Sequence, residues 1–196
     1  MSRTILIVEG HPDSDPARLC RRLADAYAAA AAGAGHRVLR VDVASIGFDW
    51  LRSKEEFENE RMPEALQPAW DAIVACEHIV FVFPLWLGTM PALLKAFLEQ
   101  VMRPGYAFHY RDDRSAAPIK VLKGKSARLV VTMGMPALAY RLWFLGHGLA
   151  GMRRNILNFA GVGPVRQTLI GTVGTADAAK YARWTGMMAE FGRRGA

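Results

Sequence analysis

The stretch Phe83-Pro84-Leu85-Trp86-Leu87-Gly88-Thr89-Met90-Pro91 closes a buried apolar run with a tryptophan, two leucines and a glycine. Such a loop sets backbone N–H donors beside an apolar wall, which is what a flat ring with polar edge atoms, such as an isoalloxazine, needs. The same aromatic cluster also suits contact with a second chain. A second stretch, Gly10-His11-Pro12-Asp13-Ser14-Asp15-Pro16-Ala17-Arg18, leads into a segment of helical periodicity. Free N–H groups and the dipole at a helix N-terminus favour a phosphate, and His11 and Arg18 would add charge-assisted hydrogen bonds. The alternative is a capped turn, with Asp13, Ser14 or Asp15 as the cap. A third stretch, Val131-Thr132-Met133-Gly134-Met135, carries a glycine that lets backbone approach a ring closely.

These stretches need elements that bring them to one place. Thr4–Val8 reads as a strand and Ala17–Ala32 as a helix closed by Gly33 and Gly35; Arg37–Val43 alternates as a half-buried strand. Leu66–Cys76 predicts a helix, His78–Phe83 a buried strand, and a further helix begins at Pro91, a residue suited to a first helical position. Ala127–Thr132 and Arg166–Thr172 read as strands around a helical region from Ala137 to Asn158, and a last helix runs from Thr175 to Phe191. Residues 44–65, polar and irregular but containing Trp50 and Phe57, read as a surface excursion with partial helix, and residues 104–126 as another, rich in Pro, Gly and charge. Five strands alternating with helices, each read as a near-continuous apolar run, indicate an α/β protein with a parallel sheet covered on both faces. Ligands of such sheets bind beyond the carboxyl ends of the strands, so the loops at 10–18, 84–90 and 133–140 are the ones expected to carry function.

With 196 residues, 52% of them hydrophobic, the chain suits a single domain over 1–196. The net charge of +7 comes from scattered residues without an aromatic-basic reader motif, so a nucleic-acid partner is not expected; the positive field suits attraction of polyanionic nucleotides. No apolar run is long enough to cross a bilayer, and Met1-Ser2-Arg3 leads directly into a strand, so the reading is a cytoplasmic protein without membrane insertion. Cys20 and Cys76 read as reduced thiols inside helices, and the absence of metal-ligand spacing predicts no metal site. Gly124-Lys125-Ser126 looks like the end of a phosphate-binding Walker loop, but Ile119 stands where its first glycine is needed. Gly161-Val162-Gly163 lacks its third glycine, with Arg166 in that place.

The block Phe-Pro-Leu-Trp-x-Gly-x-x-Pro-Ala-x-Leu-Lys from Phe83, followed by Pro104-Gly105-Tyr106-Ala107-Phe108, resembles the signature of the flavodoxin-like NAD(P)H:quinone oxidoreductases. That family includes DT-diaphorase, the modulator-of-drug-activity quinone reductases and the ancillary flavoproteins of potassium efflux systems. The resemblance extends over about residues 4–172. It implies a five-stranded parallel sheet in the order 2-1-3-4-5 with helices on both faces. It also implies a bound flavin, FMN with FAD as the alternative, NAD(P)H as co-substrate, a quinone-like acceptor, and two-electron hydride transfer. A regulatory flavoprotein subunit acting on a membrane transporter is the alternative function.

By the same resemblance, His11, Ala17 and Arg18 fall at the flavin phosphate, although Pro16-Ala17-Arg18 departs from the family's Ser/Thr and Phe-Asn pattern. Pro84, Leu85, Trp86, Leu87 and Gly88 match the loop along the isoalloxazine, with Thr132, Met133 and Gly134 facing it. Tyr140 matches the family tyrosine at the pyrimidine edge. His147 lies one residue beyond the family histidine's interval, and both are expected to stabilise charge on the reduced ring. Trp86, Tyr106 and Phe108 are expected to wall the slot. The apolar content of the 44–65 and 104–118 excursions predicts a homodimer.

Overall fold

The computed structural model describes residues 2–111 and 117–196; residues 112–116 of the second excursion lie outside the described part. The central sheet contains β1 (Thr4–Glu9), β2 (Arg37–Asp42), β3 (His78–Pro84), β6 (Ser126–Thr132) and β7 (Val165–Ile170). All pair in parallel, in the order β2-β1-β3-β6-β7. Every residue of β3 except Pro84 is buried, as expected of a strand covered on both faces.

Alternation along the strands divides the core in two. Ile5, Ile7, Val80, Val82 and Val130 pack on α1 (Leu19–Gly33) and α8 (Ala178–Arg194). Leu6, Val8, Phe81, Phe83 and Val131 face α3 (Gln67–Ala75) and α4 (Ala92–Val101). Full burial of each such side chain contributes about 1.5–3 kcal/mol. The helices α1 and α8 approach closely because position 192 is glycine: a Cβ there would lie 2.3 Å from the Tyr27 carbonyl oxygen.

Several boundaries differ from the sequence expectation for local reasons. The first helix begins at Leu19 rather than Ala17, because Asp13 and Asp15 accept from the N–H groups two residues on and hold the segment in turns. Pro91 is the N-cap of α4, in extended geometry, and not its first helical residue. Cys76 lies just past the end of α3. The last strand runs from Val165 to Ile170, after which Thr172 takes a left-handed conformation.

The helical region expected over Ala137–Asn158 is broken. It comprises α5 (Ala137–Leu142), α6 (His147–Gly151), a π-helical turn at Met152–Leu157 and α7 (Asn158–Ala160). Leu145 and Gly146, at φ 51° and 61°, interrupt it. The excursions hold a short helix, α2 (Lys54–Glu58), capped by the Ser53 hydroxyl, and a two-stranded antiparallel pair, β4 (Phe108–His109) with β5 (Ile119–Lys120).

Candidate active site

Three loops converge at the carboxyl edge of the sheet. The Gly10 N–H donates to Val82 O at 2.9 Å, and a Cβ on Gly10 would come within 2.6 Å of the Leu94 side chain. The start of the first loop is therefore pressed against α4. The His11 Nδ1 accepts from the Asp13 N–H at 2.9 Å. In the neutral ring this leaves the proton on Nε2. Burial holds the His11 pKa below its ordinary value, with Asp13 opposing and Arg18 reinforcing that shift. The His11 and Trp86 rings meet edge to face at 6.2 Å between centroids, which brings the first and second loops together.

The N-terminus of α1 has Arg18 as its N-cap, no side-chain cap and no acidic residue in its first turn. Its uncompensated N–H groups and dipole are those of an anion site. The aspartates that could have capped it serve the preceding turns: Asp13 Oδ1 accepts from Asp15 N and Asp15 Oδ1 from Ala17 N, at 2.9 and 2.8 Å. Arg18 lies outward, its Nε 2.7 Å from Asp13 Oδ2. Direct phosphate contact by Arg18 thus requires exchange with Asp13. Behind the loop, buried Glu9 pairs with Arg21 and Arg40, each at 2.7 Å, and Arg21 also binds Asp42. Burial pushes the Asp42 pKa up, but hydrogen bonds from Ser45 and Arg21 outweigh it and hold the carboxyl below its ordinary range. The network ties the loop's root to the ends of β1 and β2.

In the second loop the Leu85 N–H donates to Thr132 O at 2.8 Å, and Trp86 and Thr89 exchange backbone hydrogen bonds at 2.9 and 3.0 Å. Leu87 and Gly88 between them have φ of 47° and 80°, as a two-residue type I′ turn requires. The turn thrusts Leu87 fully into solvent and leaves Trp86 half exposed. In the third loop, Met133 is buried and donates to Ile170 O at 2.8 Å, whereas Gly134 is exposed with nothing within 4 Å of where a Cβ would stand. Thr132 is buried, with Oγ1 3.3 Å from Cys20 Sγ. Burial pushes the Cys20 thiol up to about 11, so it stays protonated at neutral pH.

Tyr140 departs from its expected role. The residue is 1% exposed, its hydroxyl donates to Gly88 O at 3.1 Å and accepts from the Leu149 N–H at 3.4 Å. A Cβ on Gly148 would lie 2.2 Å from the same Gly88 oxygen. The hydroxyl therefore clamps the second loop from behind and, as placed, offers no free proton to a ring in front of it. His147 is exposed and lines a separate cavity of about 390 Å3 with Thr89, Met90 and Lys95. No hydrogen bond joins it to Tyr140 among the described residues.

Two of the expected slot walls also lie elsewhere. Tyr106 packs edge-on against Trp70 and accepts from the Met62 N–H at 3.0 Å. Phe108 is buried against Phe159 and lines a cavity of about 610 Å3 with Leu51, Phe57 and Tyr110. Their recorded contacts are therefore outside the three loops, whereas Trp86 meets His11 of the first loop.

A doubly wound parallel sheet with three loops at its switch point, one entering an uncapped helix, defines a flavodoxin-type nucleotide fold. Residues 3–186 match the family described as having the flavodoxin-like fold, and the chain belongs to it. An uncharacterized NAD(P)H oxidoreductase of Haemophilus influenzae is 27% identical over 176 residues, covering 88% of this chain and 85% of that protein. An FMN-dependent NADH:quinone oxidoreductase of Colwellia psychrerythraea is 30% identical over 92 residues, 47% of this chain and 44% of that protein. Among solved structures, an NAD(P)H:quinone oxidoreductase from Methanothermobacter marburgensis superimposes with a TM-score of 0.76 at 23% identity, over 99% of this chain and 97% of that one.

Proposed function

We propose that the protein is an FMN-dependent NAD(P)H:quinone oxidoreductase. The observation that carries this reading is the uncapped N-terminus of α1 next to a solvent-facing loop made of Trp86, Leu87 and Gly88. The names of the relatives supply NAD(P)H, quinone and FMN. The residues fit the flavin: a phosphate finds free N–H groups at α1, and a ring finds the edge of the 84–88 loop and the open face of Gly134. Bound flavin would supply the redox chemistry, taking a hydride from the nicotinamide and passing it to the acceptor.

The chain's own residues bind and orient. His11, with its proton fixed on Nε2, is placed to donate from the phosphate end of the cleft toward Trp86. Ala17 and Arg18 flank the phosphate position. Thr132 and Met133 hold the third loop to β3 and β7 through main-chain hydrogen bonds, so that Gly134 is presented at a fixed depth. Tyr140 positions the ring-facing loop through Gly88. His147, in its separate cavity beside Thr89, is given no part in holding the flavin. One site used in turn by nucleotide and quinone implies that each product leaves before the next substrate binds.

We further propose a homodimer. Exposed Tyr110 lines the cavity with Phe108 and Leu51, next to exposed Trp50 in the chain, and a second copy would cover this face. Mass identification of the flavin released by heat, followed by steady-state NADH and NADPH oxidation with a soluble quinone and no other protein, tests the function. FMN release with quinone-dependent turnover is expected. Negligible turnover with retained flavin would instead favour the transporter-subunit alternative, which no observation on this structure supports. Sedimentation of the flavin-loaded protein at micromolar concentration is expected to show a dimer; a monomer would overturn that part.

A further inference from the structure

The opposite end of the sheet carries a second cluster of chemistry-bearing groups. A cavity of about 410 Å3 opens where the strands begin, lined by Arg3, His78, Ser126, Arg166 and Arg194 and by Gly163 of the loop before β7. Among the described residues no aspartate or glutamate side chain lines it, but Ala196, the last residue of the sequence, does. Ser126 begins β6 and Thr132 ends it, so the cavity lies roughly 20 Å from the loops described above at about 3.3 Å per residue. Its volume falls in the lower part of the range of small-molecule sites.

The cations around it are not all spent on the fold. Arg128, buried behind the cavity, is engaged by the fold: Nε donates to Ala196 O at 2.9 Å, Nη1 donates to Thr168 Oγ1 at 2.8 Å, and the guanidinium lies 3.7 Å from the centre of the Phe191 ring. Arg194 pairs with Glu190 at 2.6 Å. Arg3 donates from Nη1 to Gly195 O at 2.9 Å, which leaves the other edge of its guanidinium available. Arg166 is exposed and makes no ion pair or side-chain hydrogen bond among the described residues.

His78 supplies an independent observation. It is 97% buried, being 3% exposed, and its Nδ1 sits 2.8 Å from Ser126 Oγ. Its Nε2 has no hydrogen-bond partner among the described residues. An orphaned buried polar nitrogen is destabilising unless something answers it. Burial, and then the charges of Arg128, Arg3 and Arg166, push the His78 pKa down to about 4. The arginines thus repel one another across a cavity whose buried imidazole is short of one partner. A doubly charged oxyanion would answer the repulsion, accepting from the guanidinium groups, with the enclosed His78 ring in the wall beside it.

We propose that this cavity binds a small oxyanion of the phosphate type, either inorganic phosphate or a phosphate monoester, through Arg166 and Arg3, with the buried His78 ring in its wall. The site is separate from the flavin cleft and does not depend on the proposed activity.

The test uses thermal unfolding of the full chain with excess FMN present, so that a phosphate site at α1 is already filled. Inorganic phosphate and glycerol phosphate are each titrated against chloride at constant ionic strength. The wild-type Tm is expected to rise by about 2–4 °C at saturation, the response of a chain this size to about 1 kcal/mol. In Arg166→Glu and Arg166→Gln the rise is expected to vanish, with the Tm in chloride nearly unchanged because Arg166 is exposed. A rise with inorganic phosphate alone identifies the free ion as the ligand; a larger rise with glycerol phosphate identifies a monoester. In parallel, the 15N signal of His78 Nε2 is expected to move with phosphate in wild type and not in Arg166→Glu. An equal Tm rise in the Arg166 variants, no rise in wild type, or a static His78 signal would overturn the proposal.

Discussion

Tyr140 is almost inaccessible, yet its hydroxyl spans 52 positions of sequence to reach the Gly88 carbonyl. Burial raises its pKa, only partly offset by the Leu149 N–H, so the hydroxyl keeps its proton and its donation through neutral pH. A clamp of this kind acts whether or not a ligand is present, whereas a donor to a bound ring acts only when the ring is there. Tyr140→Phe is therefore expected to destabilise the flavin-free protein by about 1–2 kcal/mol, the loss that follows when buried polar groups are left unpaired. The flavin dissociation constant is expected to rise several-fold as the loop loosens. Denaturant melts of the flavin-free protein decide the matter: unchanged stability, with only the reductive rate slowed, would restore Tyr140 as a direct donor. The residue's type and spacing are visible in the sequence, but its partner is a main-chain oxygen on another loop, and no residue type announces that. Arg18 shows the same limit, since its ion pair with Asp13 depends on turns that only the folded loop defines.

At the scale of elements, the loop after β3 is held by geometry rather than by propensity. Type I′ turns need two left-handed residues, and Asn-Gly is the usual pair. Here Leu87 fills the first place at φ 47°, a conformation that costs a Cβ-bearing residue about 1–2 kcal/mol. Its side chain gains nothing in return within the chain, being fully solvent-exposed. Strain and an exposed apolar side chain at one residue of a site loop are consistent with contact to a bound molecule. Leu87→Asn is expected to raise the Tm of the flavin-free protein by about 2–4 °C for each kcal/mol relieved. It is also expected to raise the quinone KM, because the apolar contact is lost. A Tm that stays level or falls would show that Leu87 is not strained in solution.

The long elements were readable because their signals are redundant. The apolar run of β3 and the glycine stop after α1 each repeat one message over several residues. The two-residue strands β4 and β5 are too short for any periodicity, and nothing in Phe144-Leu145-Gly146-His147 marks Leu145 as left-handed. The broken helix and the displacement of Phe108 from the cleft followed from those two silences.

Over the whole molecule, the parallel sheet separates two poles with different chemistry. The carboxyl pole carries aspartate turns, an open helix N-terminus and exposed aromatic and apolar side chains. The amino pole carries arginines around a buried imidazole. This polarity was hidden in the sequence, where the +7 charge reads as scattered. Arg3, His78, Arg128 and Arg166 belong to different strands or their approaches, and only the register of β1, β3, β6 and β7 sets them side by side.

The amino pole has a measurable consequence for acid stability. His78 faces Ser126 and the charges of Arg128, Arg3 and Arg166, and its pKa stands at about 4 against an ordinary 6.5. As pH falls below 6.5 the unfolded chain takes up this proton first, so the folded state loses ground steadily until about pH 4, below which both forms are protonated and this contribution is gone. The full difference corresponds to about 3 kcal/mol. His11, also lowered, adds in the same direction. Carboxylates held low, such as Asp42, lose their contribution at still lower pH. Urea melts in chloride buffers from pH 7 to pH 4 are expected to show unfolding free energy falling across that window in wild type. In His78→Gln, which keeps a polar group but cannot titrate there, the slope should flatten to the smaller residue left by His11. An identical slope in the two proteins would mean that His78 is protonated in the fold at neutral pH or reached by water, and the buried neutral imidazole would have to be given up.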